Sequence, residues 1–373
     1  MPPLAGTTVA DLTRYLPGPF ASRELLRLGA RVVKIEPPAG DPSRTATPEW
    51  YRALNDGKEV IAWDARTEPP PRVLLEADVV LEGFRPGVWE RLGVELPGTT
   101  ILCSITGFGA DGPHAAQAGH DLNYLGYAGV LDQTGARDGA PALCNVQIAD
   151  LLGGAASTAI AILAALLGAQ RTGRGRYVDV SMTDASLAHN LFSLHALERW
   201  GHVVPRGSDL LTGGVPCYGV YPTQDGRWLA VGALEEKFWK ALCDAIERPD
   251  LAAVQFALGE EGAHVRGELE RVFGAQTLAY WTEKFAVVDC CVTPVQTLDE
   301  AMSDRQFIAR DMIRMRDDGS RELAPPFKVS GHEFSIARQA PAHGEHSALI
   351  LREAGYDAEA IAAMIAAGVV RIS

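Results

Sequence analysis

The spacing of apolar and polar positions divides the chain into strand-like and helix-like runs. Gly6 to Leu12 (GTTVADL) predicts a strand, and Pro17, Gly18 and Pro19 mark the loop after it. Ala21 to Leu28 has a helical period stopped by Gly29, and Ala30 to Glu36 (ARVVKIE) is a β-branched run that predicts a buried strand. Strand, helix and strand within about 36 residues predict a parallel βαβ unit. Ala77 to Leu81 and Thr100 to Ser104 predict further strands. The first half should therefore be a doubly wound, Rossmann-like α/β layer, a fold that binds ligands at the carboxyl ends of its strands.

An apolar run of small residues from Leu151 to Ala169 predicts a buried helix with Asp150 as its N-cap. Tyr177 to Met182 alternates as a strand, and Thr183 to Trp200 reads as a helix. Two aromatic and β-branched runs between Val215 and Gly232 flank Asp225-Gly226, which predicts a hairpin. Helical patterns follow at Ala233 to Trp239, Thr277 to Phe285, Ser347 to Ala354 and Ala358 to Ala367. The expected domains are a large α/β ligand-binding domain over 1–200, a linker over 201–215 and a small α+β domain over 216–300. A return segment over 301–373 should carry C-terminal helices that pack on the large domain.

At 373 residues, two domains are the natural expectation. The net charge of −13 makes nucleic acid and anionic membranes poor partners, so an anionic small ligand would need a local basic pocket. The six cysteines lack metal-type C-x-x-C spacing, and Cys290 and Cys291 are adjacent. Together with the lack of a signal-peptide pattern from Met1 to Asp11, this predicts reduced thiols, a cytoplasmic location and no metal centre. The apolar run after Asp150 contains two glycines, a serine and a threonine, which fits a soluble helix better than a membrane span.

No G-x-G-x-x-G follows the first strand, and no G-x-x-x-x-G-K-[ST] occurs, so the usual dinucleotide fingerprint is not at the first turn and no Walker-type loop is present. Lys34, Lys58 and Arg85, each near an expected strand end or turn, are the candidates for a patch that receives a phosphorylated ligand. The densest chemistry lies between Gly119 and Gly154. It opens Gly119-His120-Asp121-Leu122-Asn123-Tyr124, and Asp150 follows His120 by 30 positions (150 − 120). A base, an acid and the free N–H groups of a helix start could converge there, which is what moving a proton beside a carbonyl requires.

Taken as a set, these motifs resemble the family III CoA-transferase (CaiB/BaiF) superfamily and, within it, the α-methylacyl-CoA racemases. The resemblance runs through Asp11-Leu12, Pro17-Gly18-Pro19, Val32 to Glu36, Phe84-Arg85-Pro86-Gly87, Gly107-Phe108-Gly109 and Thr172-Gly173-Arg174-Gly175. It continues through Val231 to Glu235 and Cys291 to Val295. It implies His120, Asp150 and Glu235 as catalytic residues. It implies Lys34, Asn55, Gly57, Lys58, Arg85, Gly119, Asp121, Asn123 and Tyr124 as CoA- or substrate-binding residues. Asn55-Asp56-Gly57-Lys58 departs from the racemase pattern by an acidic residue at Asp56, where CoA phosphates should approach.

The implied reaction interconverts (R)- and (S)-2-methylacyl-CoA thioesters through an enolate. His120 and Asp150 would serve opposite faces of the α-carbon, Glu235 would orient the imidazole, and backbone N–H groups at Asp150 and the helix start would hold the enolate oxygen. The CoA thioester is substrate, no cofactor is needed, and the resemblance implies an interlocked homodimer. A CoA-transferase using Asp150 as nucleophile is the alternative, and a non-catalytic acyl-CoA binder is the third reading. The pocket wall is expected around Leu210 to Tyr221 and Leu125 to Leu131.

Overall fold

The β-branched runs become the strands of one parallel sheet in the computed structural model, which describes residues 1–65, 69–316, 318–334, 338–367 and 370. The expected return segment includes 317, 335–337, 368–369 and 371–373, which lie outside the described residues. Packing divides the chain into two units: 1–130 with 144–190 and 312–373, and 131–143 with 191–311. The division after 190, with 131–143 joining the second unit, differs from the expected boundary at 200.

In the first unit the described strands are β1 (Thr8–Asp11), β2 (Arg31–Glu36), β3 (Glu59–Ala62), β4 (Val79–Glu82), β5 (Ile101–Thr106) and β6 (Tyr177–Ser181). Their order is β3-β2-β1-β4-β5-β6, and every pairing is parallel. Chain order reverses between β1 and β4, so their carboxyl ends open a crevice at the switch point, where such sheets bind ligands. Strands β2, β3 and β4 are buried on both faces. Strand β3 was not expected, because Glu59-Val60-Ile61-Ala62 is short and follows a turn. His346 and Ser347 of the return segment bond to its edge, through the His346 N–H to the Val60 carbonyl at 3.1 Å and the Ala62 N–H to Ser347 Oγ at 3.3 Å. Ile350, Leu351 and Ile361 share a buried cluster with Val33, Ile35 and Ile61.

Helix α1 (Pro17–Arg27) starts earlier than its period suggests, because Pro17 supplies a first-turn residue with no N–H to leave unpaired. Helix α2 spans Asp121–Tyr127. The apolar run after Gln147 opens as a π-helix over Ile148–Ala156 and continues as α3, Ser157–Thr172. Asp150 is thus in the first turn and Gln147 is the N-cap, which corrects the expected N-cap role of Asp150. The run is buried on one side only: Leu152, Ile160 and Leu167 are exposed. By length and composition, Ile148–Thr172 is apolar enough to cross a membrane. The expected helix from Thr183 to Trp200 is two helices, α4 (Met182–Ala188) and α5 (Leu191–Trp200), which fall in different units.

In the second unit, β7 (Tyr218–Pro222) and β8 (Trp228–Gly232) form the expected hairpin across Asp225-Gly226, and β9 (Val292–Pro294) extends it antiparallel. A core of Tyr221, Leu229, Trp239, Phe273 and Trp281 fills that unit. The helix Gly259–Phe273 was not expected, and it buries Val265, Leu269 and Phe273 on one face.

Candidate active site

A cavity of about 590 Å³ lies in the first unit at the switch point. The loop after β1, from Leu12 to Gly18, lines one side, and Gly83 to Pro86 after β4 line another. His120, Asn123, Tyr124 and Asp150 complete it, so residues far apart in the chain meet at one opening.

Local packing sets His120 in place. Its backbone N–H donates to Asn123 Oδ1 at 3.0 Å, and its carbonyl accepts the Asn123 N–H at 2.8 Å, which starts α2. The Tyr124 hydroxyl donates to the Gly119 carbonyl at 2.5 Å. Its ring lies against two glycines: a Cβ at Gly107 would fall 2.4 Å from the ring, and one at Gly119 would fall 2.6 Å from it. Both glycines are therefore required by the buried Tyr124.

Asp150 is held from the other side. Its backbone N–H donates to Asp121 Oδ1 at 3.0 Å, tying the π-helix to α2. Gly153 and Gly154 let Met182 and Ser186 of α4 approach the π-helix, since a Cβ at Gly154 would lie 2.9 Å from the Met182 side chain. Burial pushes the Asp150 carboxyl up to about 6, the Asp121 charge adds to the rise, and His120 opposes it. Burial and the Asp150 charge also push the Tyr124 phenol up to about 12.

Three expectations need correction. The Asp150 N–H belongs to Asp121, and the Leu151 N–H donates to the Gln147 carbonyl at 2.9 Å, so neither is free for an enolate oxygen. Lys34, Asn55 and Lys58 do not line the cavity, because the sheet buries them. Lys34 pairs with Asp41 at 3.0 Å and Lys58 with Asp11 at 3.1 Å. Gly57 takes a left-handed φ of 84° in the turn before Lys58, which is a backbone role. Asp56 likewise pairs with Arg316 at 2.5 Å and does not line the cavity. Of the expected cations, Arg85 alone lines the cavity, exposed, with a long 3.5 Å contact to the Ala116 carbonyl. Arg14 and Tyr15, in the loop that Pro17, Gly18 and Pro19 mark, stand exposed in the cavity wall. Their position just after β1 was the available signal.

Glu235 lies in the second unit, exposed, as the residue before the helix Glu236–Ala245. In that unit a separate cavity of about 950 Å³ is lined by Leu211, Val215 and Tyr218, part of the expected pocket wall, and by Val231. No group of three or more metal-ligating side chains occurs among the described residues.

A sequence profile of CoA-transferase family III matches residues 4–347. The chain is 32% identical to alpha-methylacyl-CoA racemase of Homo sapiens over 375 residues, covering 96% of this chain and 95% of that protein. It is 33% identical to acetyl-CoA:oxalate CoA-transferase of Acetobacter aceti over 378 residues, covering 94% and 95%. The crystal structure of a CAIB/BAIF family protein from Brucella suis aligns with a TM-score of 0.81 at 28% identity, over 94% of this chain and 99% of that one.

Proposed function

The chain belongs to CoA-transferase family III, and within that family we propose that it is a racemase of 2-methylacyl-CoA thioesters. The observation that carries this reading is that His120 and Asp150 line one cavity and that the carboxyl sits near 6. A proton acceptor works best with a pKa near the working pH, and the raised value suits Asp150 to give and take a proton. A carboxylate that serves only as a nucleophile gains nothing from being held protonated.

In this reading His120 takes the α-proton on one face of the thioester and Asp150 returns one on the other, with the roles exchanged in reverse. Arg85 and Arg14 supply the cationic wall for the CoA phosphates, and Asn123 and Tyr124 shape the His120 side. The proton transfers need no metal or redox cofactor, because the thioester carries its own activating carbonyl.

The protein acts as an interlocked homodimer, with Glu235 of the partner subunit orienting the His120 imidazole. The exposed apolar row Leu191, Phe192, Leu194, Leu197 and Trp200 on α5 supports burial against a second copy. The alternative, a CoA-transferase with an Asp150 acyl-enzyme, is supported by relatives that bear transferase names.

Deuterium uptake from D₂O at C2 of a panel of 2-methylacyl-CoA thioesters tests the reading, with hydroxylamine trapping run beside it. Uptake without a trapped Asp150 adduct is the expected result. A trapped adduct without uptake assigns the protein to the transferases.

A further inference from the structure

Two buried ion pairs lie beneath the cavity wall, and both reach the same loop. Asp11 ends β1, Lys34 sits in β2 and Lys58 immediately precedes β3; with Asp41, their side chains are fully buried. Lys34 Nζ pairs with Asp41 Oδ2 at 3.0 Å and donates to the Thr13 carbonyl at 2.7 Å. Lys58 Nζ pairs with Asp11 Oδ2 at 3.1 Å and donates to the Pro19 carbonyl at 3.0 Å and to Asn55 Oδ1 at 2.9 Å. Asp11 Oδ1 in turn accepts the Thr13 N–H at 2.9 Å, and Ser22 Oγ donates to Asp11 Oδ2 at 2.6 Å.

The charges therefore grip the loop at Thr13 and, where it runs into the first turn of α1, at Pro19. Between those points Tyr15 adopts a φ of 66°, a left-handed conformation that a bulky side chain rarely takes. Gly18 closes the loop, since a Cβ there would lie 2.3 Å from the Thr13 side chain. A strained residue persists beside a site only where its surroundings over-determine it. Stability alone is a poor reason for such pairs, because well-packed apolar replacements of buried ion pairs are often neutral or better. What an ammonium adds is direction: Lys34 donates to the Thr13 carbonyl in the wall, and Lys58 to the Pro19 carbonyl in the first turn of α1, just past it.

We propose that Lys34 and Lys58, acting through Thr13, Asp11 and Pro19, are positioning residues that hold the Thr13–Gly18 wall in its ligand-binding conformation. The ligand named here, an acyl-CoA, rests on the function proposed above; the clamp itself rests on the distances.

The test uses the full-length protein carrying Lys34→Met with Asp41→Asn, so that neither charge is left unpaired, and separately Ser22→Ala, whose hydroxyl meets the clamp at Asp11 and, at 3.2 Å, at the Pro19 carbonyl. Hydrogen exchange of residues 12–19, calorimetric binding of free CoA, and KM and kcat for α-proton exchange are measured. Exchange over 12–19 should rise in both variants. In the double variant KM should rise at least about tenfold and CoA binding weaken by a similar factor, within the roughly 10²-fold that an ångström-scale displacement can cost. A smaller change in kcat would accompany this, because His120 and Asp150 lie on other elements. Ser22→Ala, which keeps the fold with a single donor removed, should show the same pattern several-fold weaker. Wild-type loop exchange and wild-type CoA affinity in Ser22→Ala and in any folded double variant would overturn the clamp. If the wild-type protein binds no CoA while loop exchange still rises in the variants, the clamp stands and the acyl-CoA reading falls.

Discussion

The Asp150 backbone N–H donates to Asp121 Oδ1 at 3.0 Å, so the residue next to His120 in sequence anchors the carboxylate that faces the same cavity. One side chain thereby couples the two helix starts that carry the proposed acid and base. It also places a second negative charge beside Asp150, which helps hold that carboxyl near 6.

Asp121→Asn keeps an oxygen to accept the Asp150 N–H and removes the charge. The Asp150 pKa should fall, because a like charge raises it, and should stay above the ordinary aspartate value, because burial is the larger cause. The acid limb of the kcat/KM profile should move to lower pH accordingly. A limb that stays in place would show that another group controls it.

The same raised pKa has a stability consequence. The folded state holds the Asp150 proton to higher pH than the unfolded chain does, so this group's contribution is favourable at low pH and is lost as pH rises through about 6. Asp150→Asn should therefore gain melting temperature over wild type at pH 7.5 and not at pH 4, while α-proton exchange falls by at least about 10². Thermal melts at the two pH values check the sign.

Gly119→Ala places a methyl 2.6 Å from the Tyr124 ring, and Gly107→Ala places one at 2.4 Å. Either substitution must displace a buried aromatic, at a cost of about 1–3 kcal/mol. Because Tyr124 holds the Gly119 carbonyl, the turnover loss should exceed tenfold, the scale of a misplaced general base. Tyr124→Phe, which loses only the hydroxyl, should cost about 1 kcal/mol.

Gly175→Ala tests the Thr172-Gly173-Arg174-Gly175 motif as a packing feature. Its Cβ would fall 1.9 Å from the Thr100 carbonyl oxygen, and backbone cannot move aside as a side chain can. A loss of at least about 1–3 kcal/mol is expected, measured by urea denaturation.

Phe192 stands 67% exposed in the apolar row of α5. If that row is the homodimer surface, Phe192→Glu should weaken association by at least about tenfold in sedimentation equilibrium, since aromatic anchors carry much of such interfaces. A wild-type protein that sediments as a monomer would end the homodimer proposal.

The parallel sheet was legible because a strand buried on both faces carries its own apolar run, whatever packs on it. The hairpin was legible for a similar local reason: Asp225-Gly226 specifies a turn between two strand-like runs. That His120 and Asp150 line one cavity was legible through a family pattern. The broken helix at Asn190 was not, since Thr183 to Trp200 has an unbroken helical period and only the division between the two units separates its halves.

The sequence by itself determined most of the strand layer, because each strand depends on residues within a few positions of one another; it pointed to His120 and Asp150 only through a family pattern. Tertiary structure alone decided which charges face a ligand. Lys34 and Lys58 look like surface cations in sequence, yet Asp41 and Asp11 neutralise them inside the sheet, and the Asp150 N–H is taken by a carboxylate 29 residues away. Burial of a charge depends on partners that distant segments bring, and a local pattern carries no record of them.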